Sequence, residues 1–515
     1  MVASISGRKT FVSLNPATGE EIGTYPLTDA ETIQKYVQAA RSAGRDWAAL
    51  QVSERLKPLR RLRELLSLHS RSLARTITRE IGKPIQESLG AEVLPSVEAL
   101  RWLEKNAPRL LNPIQHRNRV VTREPYGVVG VIGTWNYPLY LDLTTIVWAI
   151  AAGNTVVWKP SELATEVACA LNHLFQTCGL PDKTVILATG DGGAGRSLAQ
   201  AGCDKIAFIG SIQTGQRILT ELAHSNTPSV MELSGNDAFI VLEDAPLDLA
   251  ARSAVWGRVC NAGQSCVAPQ RFYVTATVYE EFLNSTLSHL NELQIGGGAD
   301  EMGDVGPLRT FHLRQHVEDL VLDAVDRGAR LLAGGFSLND RPGHFYAPTL
   351  LADCHDGMPV IQESFFGPVI AVCRVEDESE AIQRANADPM GLAASVWTGS
   401  EARGVQAAQR IRAGVVSIND VLLDAGNPSL GFGGFGGSGF GKMRGEAGLR
   451  EMCVEKVVSV KSLRGARRHL FPYRATTPPL LTALIGWKAR QGGDRWRALR
   501  ALIVAARNWN QGERS

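Results

Sequence analysis

VVGVIG (128–133), TVVWK (155–159), TVILAT (184–189), KIAFI (205–209) and SVMEL (229–233) recur through residues 126–234, separated by segments long enough for helices. Short runs rich in Val and Ile suit buried strands, and their regular alternation with helices makes the sheet parallel. The fold class that follows is α/β, an open parallel sheet with crossover helices. Such sheets bind ligands beyond the carboxyl ends of their strands. Residues able to do chemistry stand there: Asn136 after the first run, Lys159 closing the second, Gly210 after the fourth and Glu232 near the end of the fifth.

Working outward, residues 10–125 read as mostly helical after the turn-rich lead-in NPATGEEIGTYP (15–26). Thr28 or Asp29 is placed to cap a helix running toward Leu50. Over residues 53–79, Leu56, Leu59, Leu62, Leu65, Leu66 and Leu73 recur at helical spacing, with arginines on the solvated side. Residues 110–124, with Asn112, Pro113, Val120 and Val121, read as an extended arm that bridges or joins subunits. Residues 235–432 hold a second α/β region. GFGGFGGSGFGK (431–442) is too glycine-dense for a regular element and reads as a loop.

With 515 residues the chain exceeds one core, so two or three domains are expected, with no need for a stabilising metal or disulfide. Eight cysteines are scattered, with no C-x-x-C pair and no histidine at ligand spacing. That usage points to a reduced, cytoplasmic setting and no metal site. The N-terminus lacks the apolar core of a signal peptide. No window reaches the roughly 18–20 apolar residues that cross a bilayer. The net charge of +2 conceals an asymmetry: residues 462–515 carry 11 Arg and Lys against 2 Asp and Glu, so the rest of the chain is mildly acidic. An acidic body with a basic tail is not the balance of a nucleic-acid-binding enzyme.

VCNAGQSCVAPQ (259–270) places Cys266 among Asn261, Gly263, Gln264, Ser265 and Pro269. Polar, turn-forming neighbours suit a thiol at an element's end, where backbone N–H groups favour the thiolate. An ordinary loop cysteine is the plainer alternative. Three glycine stretches mimic phosphate loops. Gly190–Gly195 matches G-x-G-x-x-G but lacks an acidic partner about 20 residues on. Gly210–Gly215 lies between a strand and a helix, where N–H groups can face a pyrophosphate. The third, from Gly436, fails because Met443 stands where Ser or Thr would hold magnesium. Spacing alone leaves the first two open.

Six motifs then occur in order at compatible intervals: WNYP (135–138), VWKPSE (157–162), FIGSIQTG (208–215), MELSG (231–235), NAGQSCVAP (261–269) and FFGP (365–368). Together they resemble the NAD(P)-dependent aldehyde dehydrogenase superfamily over most of the chain. WNYP and the glycine-rich segment 419–439 lean toward its fatty and aromatic aldehyde branch. The resemblance implies a Rossmann-type cofactor domain (residues 1–106 and 126–233) and an α/β catalytic domain (234–432). It further implies a bridging or oligomerisation arm (107–125 and 433–461) and a homodimer or homotetramer; the basic tail (462–515) lies beyond most of the resemblance. Cys266 becomes the nucleophile that forms a thioester, Asn136 part of the oxyanion hole, and Glu232 the base for hydrolysis. Gly210, Ser211 and Gly215 become the pyrophosphate-side motif, which settles the tie against Gly190–Gly195. Lys159 and Glu162 become the adenine-ribose ligands, with Trp135, Ser364 and Phe366 also against the cofactor. A carboxylate at Glu162 favours NAD, with NADP as the second choice.

One departure stands out. The family's Glu-x-Phe-Gly-Pro has Ser364 at its glutamate position, with Glu363 one residue earlier. A serine cannot bridge two ribose hydroxyls as a carboxylate does, so looser nicotinamide placement is expected unless Glu363 compensates. Tyr137, Tyr140, Leu141 and Thr144 are expected along the aldehyde tunnel, and no arginine in that segment suggests an acidic substrate. In the tail, a helix over 494–510 would gather Trp496, Leu499, Leu502, Ile503, Ala506 and Trp509 on one arc, with Arg497, Arg500 and Arg507 opposite. That pattern suits an anionic membrane surface, or equally a helix docked on protein. The function expected is oxidation of a hydrophobic aldehyde to its acid. The alternatives are a CoA-acylating dehydrogenase, which would generally lack Glu232, and a non-enzymatic scaffold, which would have lost Cys266, Asn136 or Glu232.

Overall fold

The computed structural model describes residues 2–5, 8–297, 303–461, 471, 473–491 and 493–511. The chain forms two compact units, residues 1–116 with 120–458, and residues 117–119 with 459–515.

All five apolar runs become strands of one six-stranded sheet. Its order is Gly439–Phe440, Ser229–Leu233, Lys205–Gly210, Val128–Ile132, Thr155–Lys159 and Val185–Leu187. The five are parallel, and the adjacent strands Val128–Ile132 and Thr155–Lys159 are buried throughout, as doubly covered strands must be. The added edge strand corrects the reading of 431–442 as a loop: Gly439–Phe440 pairs antiparallel with Met231 and Glu232. Glycine permits this. Gly439 has φ +98°, and a Cβ there would strike the Met231 carbonyl.

A second sheet of seven strands runs Arg330–Ala333, Thr349–Ala352, Val369–Val375, Pro269–Thr275, Asp237–Val241, Ala393–Trp397 and Val415–Ile418. Only its first strand is antiparallel. Its core centres on Phe239, Phe272, Phe282 and Trp397.

Asp29 caps the helix Ala30–Ala49 through the Thr32 amide at 2.7 Å. Ile33, Val37, Ala40 and Trp47 form its buried face. The leucine pattern of 53–79 is two helices, Val52–Leu68 and Ser70–Ile81. Pro138, the last residue of WNYP, opens the wholly buried helix Pro138–Ala152, where its missing N–H costs nothing. Residues 110–124 hold the strands Ile114–His116 and Arg119–Pro125, in one sheet with Cys453–Ser459.

Within the smaller unit, helices Thr477–Ala489 and Gly493–Gln511 pack as a hairpin. Here the expected single apolar arc is corrected. Ala498 and Trp509 are buried, Leu499, Leu502 and Ala506 half-buried, and the Trp509 indole donates to Thr477 Oγ1 at 3.3 Å. Trp496, Ile503 and Val504 are exposed with Leu481 and Ile485. The second helix therefore spends most of its apolar face on its neighbour. Among the described residues no helix is long and apolar enough to cross a membrane.

Candidate active site

The turn carrying Cys266 lies between the helix Leu247–Val259 and the strand Pro269–Thr275. Asn261, Ala262 and Gly263 are consecutive left-handed residues with φ near 53°, 54° and 73°. Such backbone is strained for the first two, so the surroundings must fix it. The Asn261 amide donates to the Glu87 carboxylate at 2.8 Å, and its side chain donates to the Asn136 and Gln264 carbonyls at 3.1 and 3.0 Å. Gln264 Nε2 in turn donates to the Asn261 carbonyl at 2.9 Å.

The turn sets the half-buried Cys266 thiol 3.3 Å from Glu232 Oε1, to which it donates. Glu232 stands on its strand with 2% exposure, and its second oxygen, Oε2, is buried without a partner. Burial raises the Glu232 pKa, opposed by the Arg444 charge and the thiol hydrogen bond. Burial, then the nearby carboxylate, also pushes the Cys266 thiol well up. This corrects the expectation of a thiolate favoured by backbone N–H groups. The thiol stays hydrogen-bonded to the carboxylate, since a buried anion beside a carboxylate is unfavourable.

Asn136 is buried, its amide donating to the Gln264 carbonyl at 3.1 Å and its Oδ1 receiving the Thr134 hydroxyl at 2.9 Å. Lys83 Nζ donates to the Asn136 carbonyl at 2.7 Å and pairs with Glu92 at 2.7 Å, both side chains fully buried. Glu92 also accepts from the Leu139 amide at 2.8 Å and the Tyr140 amide at 3.3 Å, so it caps the helix after WNYP. Glu92 comes from the π-helical turn Ser88–Val93. Sequence reasoning missed Lys83 and Glu92, since no local pattern announces a contact made across some fifty residues.

Two cavities meet at this pair, and Cys266 and Glu232 line both. The first, about 1180 Å³, runs over the carboxyl ends of the six-stranded sheet. Trp135, Asn136, Lys159, Glu162, Gly210, Ser211, Ser364 and Phe366 all line it. Lys159 Nζ lies 3.1 Å from Glu162, and Trp135 meets Phe366 edge to face at 5.6 Å. Ser211 caps the helix Ile212–Ala223 by accepting from the Thr214 amide at 3.3 Å, and both residues line the cleft, so the helix N-terminus borders it. Gly215 does not line it; a Cβ there would lie 2.6 Å from Leu233, so this glycine serves helix–sheet packing. Gly192, Gly193 and Gly195 do line the cleft, at the head of the helix Gly192–Gln200. Both glycine stretches thus reach one site.

Ser364 donates to the Gly235 carbonyl at 2.6 Å, while the Glu363 carboxylate faces His316 at 3.5 Å. Glu363 does not line the cleft, but His316 does. The Glu363 carboxylate thus meets the cleft only through His316.

The second cavity, about 1080 Å³, is lined by Trp102, Tyr137, Tyr140, Leu141 and Phe432. Thr144 is not on it; its hydroxyl bonds the Tyr140 carbonyl at 2.8 Å. Arg444, absent from the sequence reading, joins this wall.

A cysteine and a carboxylate in contact where a long cleft meets an aromatic cavity, on two α/β sheets, mark the candidate active site. The description "Aldehyde dehydrogenase family" matches residues 2–458. A 4,4'-diapolycopene aldehyde oxidase of Methylomonas sp is 37% identical over 482 residues, covering 91% of this chain and 89% of that protein. The crystal structure of an NAD-dependent aldehyde dehydrogenase from Sinorhizobium meliloti superposes with a TM-score of 0.87 at 32% identity, covering 91% of this chain and 94% of that one. An NADP-dependent enzyme of E. coli gives a TM-score of 0.85 at 31% identity, covering 88% and 95%. The chain belongs to the aldehyde dehydrogenase family and is an oxidoreductase that takes aldehydes to acids.

Proposed function

We propose that this enzyme oxidises a hydrophobic aldehyde to its carboxylic acid with NAD, or secondarily NADP, through a thioester on Cys266. The observation that carries the reading is the 3.3 Å contact of Cys266 with Glu232 where the two cavities meet. Residues 1–106 with 126–233 form the cofactor domain in this reading, 234–432 the catalytic domain, and 107–125 with 433–461 the arm of a homodimer or homotetramer.

The cleft suits a dinucleotide chemically: a helix N-terminus capped by Ser211 for the pyrophosphate, and Lys159 with Glu162 for a ribose. When bound, the cofactor supplies the hydride acceptor. The chain's residues do the rest. The Cys266 sulfur bonds the aldehyde carbon and its proton passes to Glu232. The oxygen's developing charge is held by the Asn136 amide and the Cys266 N–H. After oxidation to the thioester and loss of that proton to solvent, Glu232 takes a proton from water. The hydroxide oxygen bonds the acyl carbon, the C–S bond breaks, and sulfur recovers the proton.

The aromatic wall of Trp102, Tyr137, Tyr140 and Phe432 supports an apolar substrate, as does the diapolycopene aldehyde relative. NADH formation with aldehydes of increasing chain length tests this; kcat/KM is expected to rise with length, and equal values for short aldehydes would overturn the hydrophobic assignment.

For the tail we propose peripheral contact with an anionic membrane. The exposed Leu481, Ile485, Trp496, Ile503 and Val504 and the excess of basic residues support it. Removing residues 462–515 is expected to abolish co-sedimentation with phosphatidylserine vesicles while kcat on a short aldehyde changes by less than about twofold, a surface anchor being separate from the chemistry. An intact protein that ignores such vesicles at low salt would make the hairpin a protein-docking element.

Ser364→Glu is expected to lower the KM for NAD several-fold, because a carboxylate can hold two ribose hydroxyls. Unchanged steady-state constants would place that task on another cleft residue, such as His316.

A further inference from the structure

We infer that Arg444 is a positioning residue for the reaction at Cys266: its guanidinium is the counter-charge for the negative charge that passes between Glu232 and the sulfur. The inference rests on the catalytic reading of those two residues.

Arg444 is 4% exposed, at φ +51° ahead of the helix Gly445–Glu451. Its Nη1 donates to Tyr140 Oη at 2.8 Å and its Nη2 donates to the Ala425 carbonyl. The guanidinium lies over the rings of Phe432 at 4.7 Å and Tyr140 at 5.2 Å. Its Nε is buried without a partner, and among the described residues no carboxylate is within 4.0 Å of it. Lys83 has Glu92 at 2.7 Å and Lys205 has Glu451 at 3.3 Å, whereas the buried Arg55, Arg258 and Arg309 are held mainly by carbonyl oxygens; of these cations only Arg444 lines the cavity of Cys266 and Glu232.

Burying a guanidinium with no carboxylate partner is costly, and two hydrogen bonds and two rings offset only part of the cost. The wall it occupies is also the wall of Cys266 and Glu232, and Glu232 Oε2 is the matching buried oxygen without a partner. Arg444 lowers the pKa of both groups, whereas burial raises both. The other charged groups around this cavity are Glu87, Glu98, Arg101 and Lys105; Asp237 also acts on the thiol. Glu87 is held by the Asn261 amide at 2.8 Å, and Glu98 acts on Tyr140. Neither of the other cations, Arg101 and Lys105, is among the main causes acting on Glu232 or Cys266.

The test is the pH dependence of Cys266 alkylation by iodoacetamide in the full-length protein without cofactor, read on the Cys266 peptide by mass spectrometry. Arg444→Met is expected to move the midpoint up by about one pH unit, the lower end for loss of a nearby opposite charge. Arg444→Lys, which keeps the charge, is expected to restore most of that shift. A folded Arg444→Met protein with the wild-type midpoint overturns the inference. Should Arg444→Met not fold, Arg444→Gln, which also removes the charge but keeps a hydrogen-bonding amide, is read the same way: an upward shift supports the role and a wild-type midpoint overturns it. Cys266→Ser separates the two layers. NADH formation retained in that variant sinks the catalytic reading itself, while an inactive Cys266→Ser beside an unshifted Arg444→Met sinks only the role of Arg444.

Discussion

Cys266→Ser is expected to lower kcat/KM for NADH formation by about four orders of magnitude, the scale on which removal of an essential nucleophile acts. The loss is chemical rather than structural. A serine hydroxyl is nearly the size of the thiol and can still donate to Glu232 Oε1, which lies 3.3 Å from the sulfur. The turn is held by Asn261, Gln264 and Glu87 through groups that the substitution does not touch. Cofactor affinity, measured by calorimetry, is therefore expected to stay within about twofold, since no group donating to the cofactor is removed. What disappears is a nucleophile that a carboxylate can deprotonate. Cys260 is the other thiol on the aldehyde cavity, but it lines that side alone, and burial and Glu87 push its thiol well up. Substantial residual turnover in Cys266→Ser would direct attention there.

The parallel sheet was legible because each of its long strands is a short apolar run bounded by helix-length segments, and Asp29 announces a helix start by its chemistry. Cys266 and Glu232, 34 residues apart, were readable as a pair only through the motifs around them. Their contact depends on how two sheets abut, which no local periodicity encodes. The edge strand Gly439–Phe440 escaped notice for a different reason. Its pairing depends on the absence of a Cβ, so the composition that suggests a loop is what lets the strand form. Arg444 follows in the same segment, and nothing nearby in sequence hints that Tyr140, 304 residues away, clamps it. In the tail, helical periodicity identified the helix correctly but could not tell an apolar arc facing a membrane from one facing another helix.

Glu232→Gln is expected to slow both halves of the reaction. The amide keeps the volume, and its oxygen can still accept the thiol proton in a hydrogen bond, so the site geometry is conserved. It cannot take a proton from water. The steady-state rate is expected to fall by about 10²–10⁴-fold, the usual contribution of a general base, and the NADH burst to slow with it, because Glu232 also accepts the thiol proton in the first step. Stopped-flow absorbance measures both, and mass spectrometry of the quenched enzyme should show the acyl group on Cys266. The wild-type profile supplies a second check. Burial raises the Glu232 pKa, and only the ionised carboxylate is a base, so kcat must climb with pH across a window above the ordinary glutamate range. The glutamine variant has no group titrating at that position and should lose that limb. A rapid burst that survives in the variant would confine Glu232 to hydrolysis and give the thiol proton another acceptor. A wild-type steady-state rate would remove Glu232 from hydrolysis altogether, and its unpartnered Oε2 would then need another explanation.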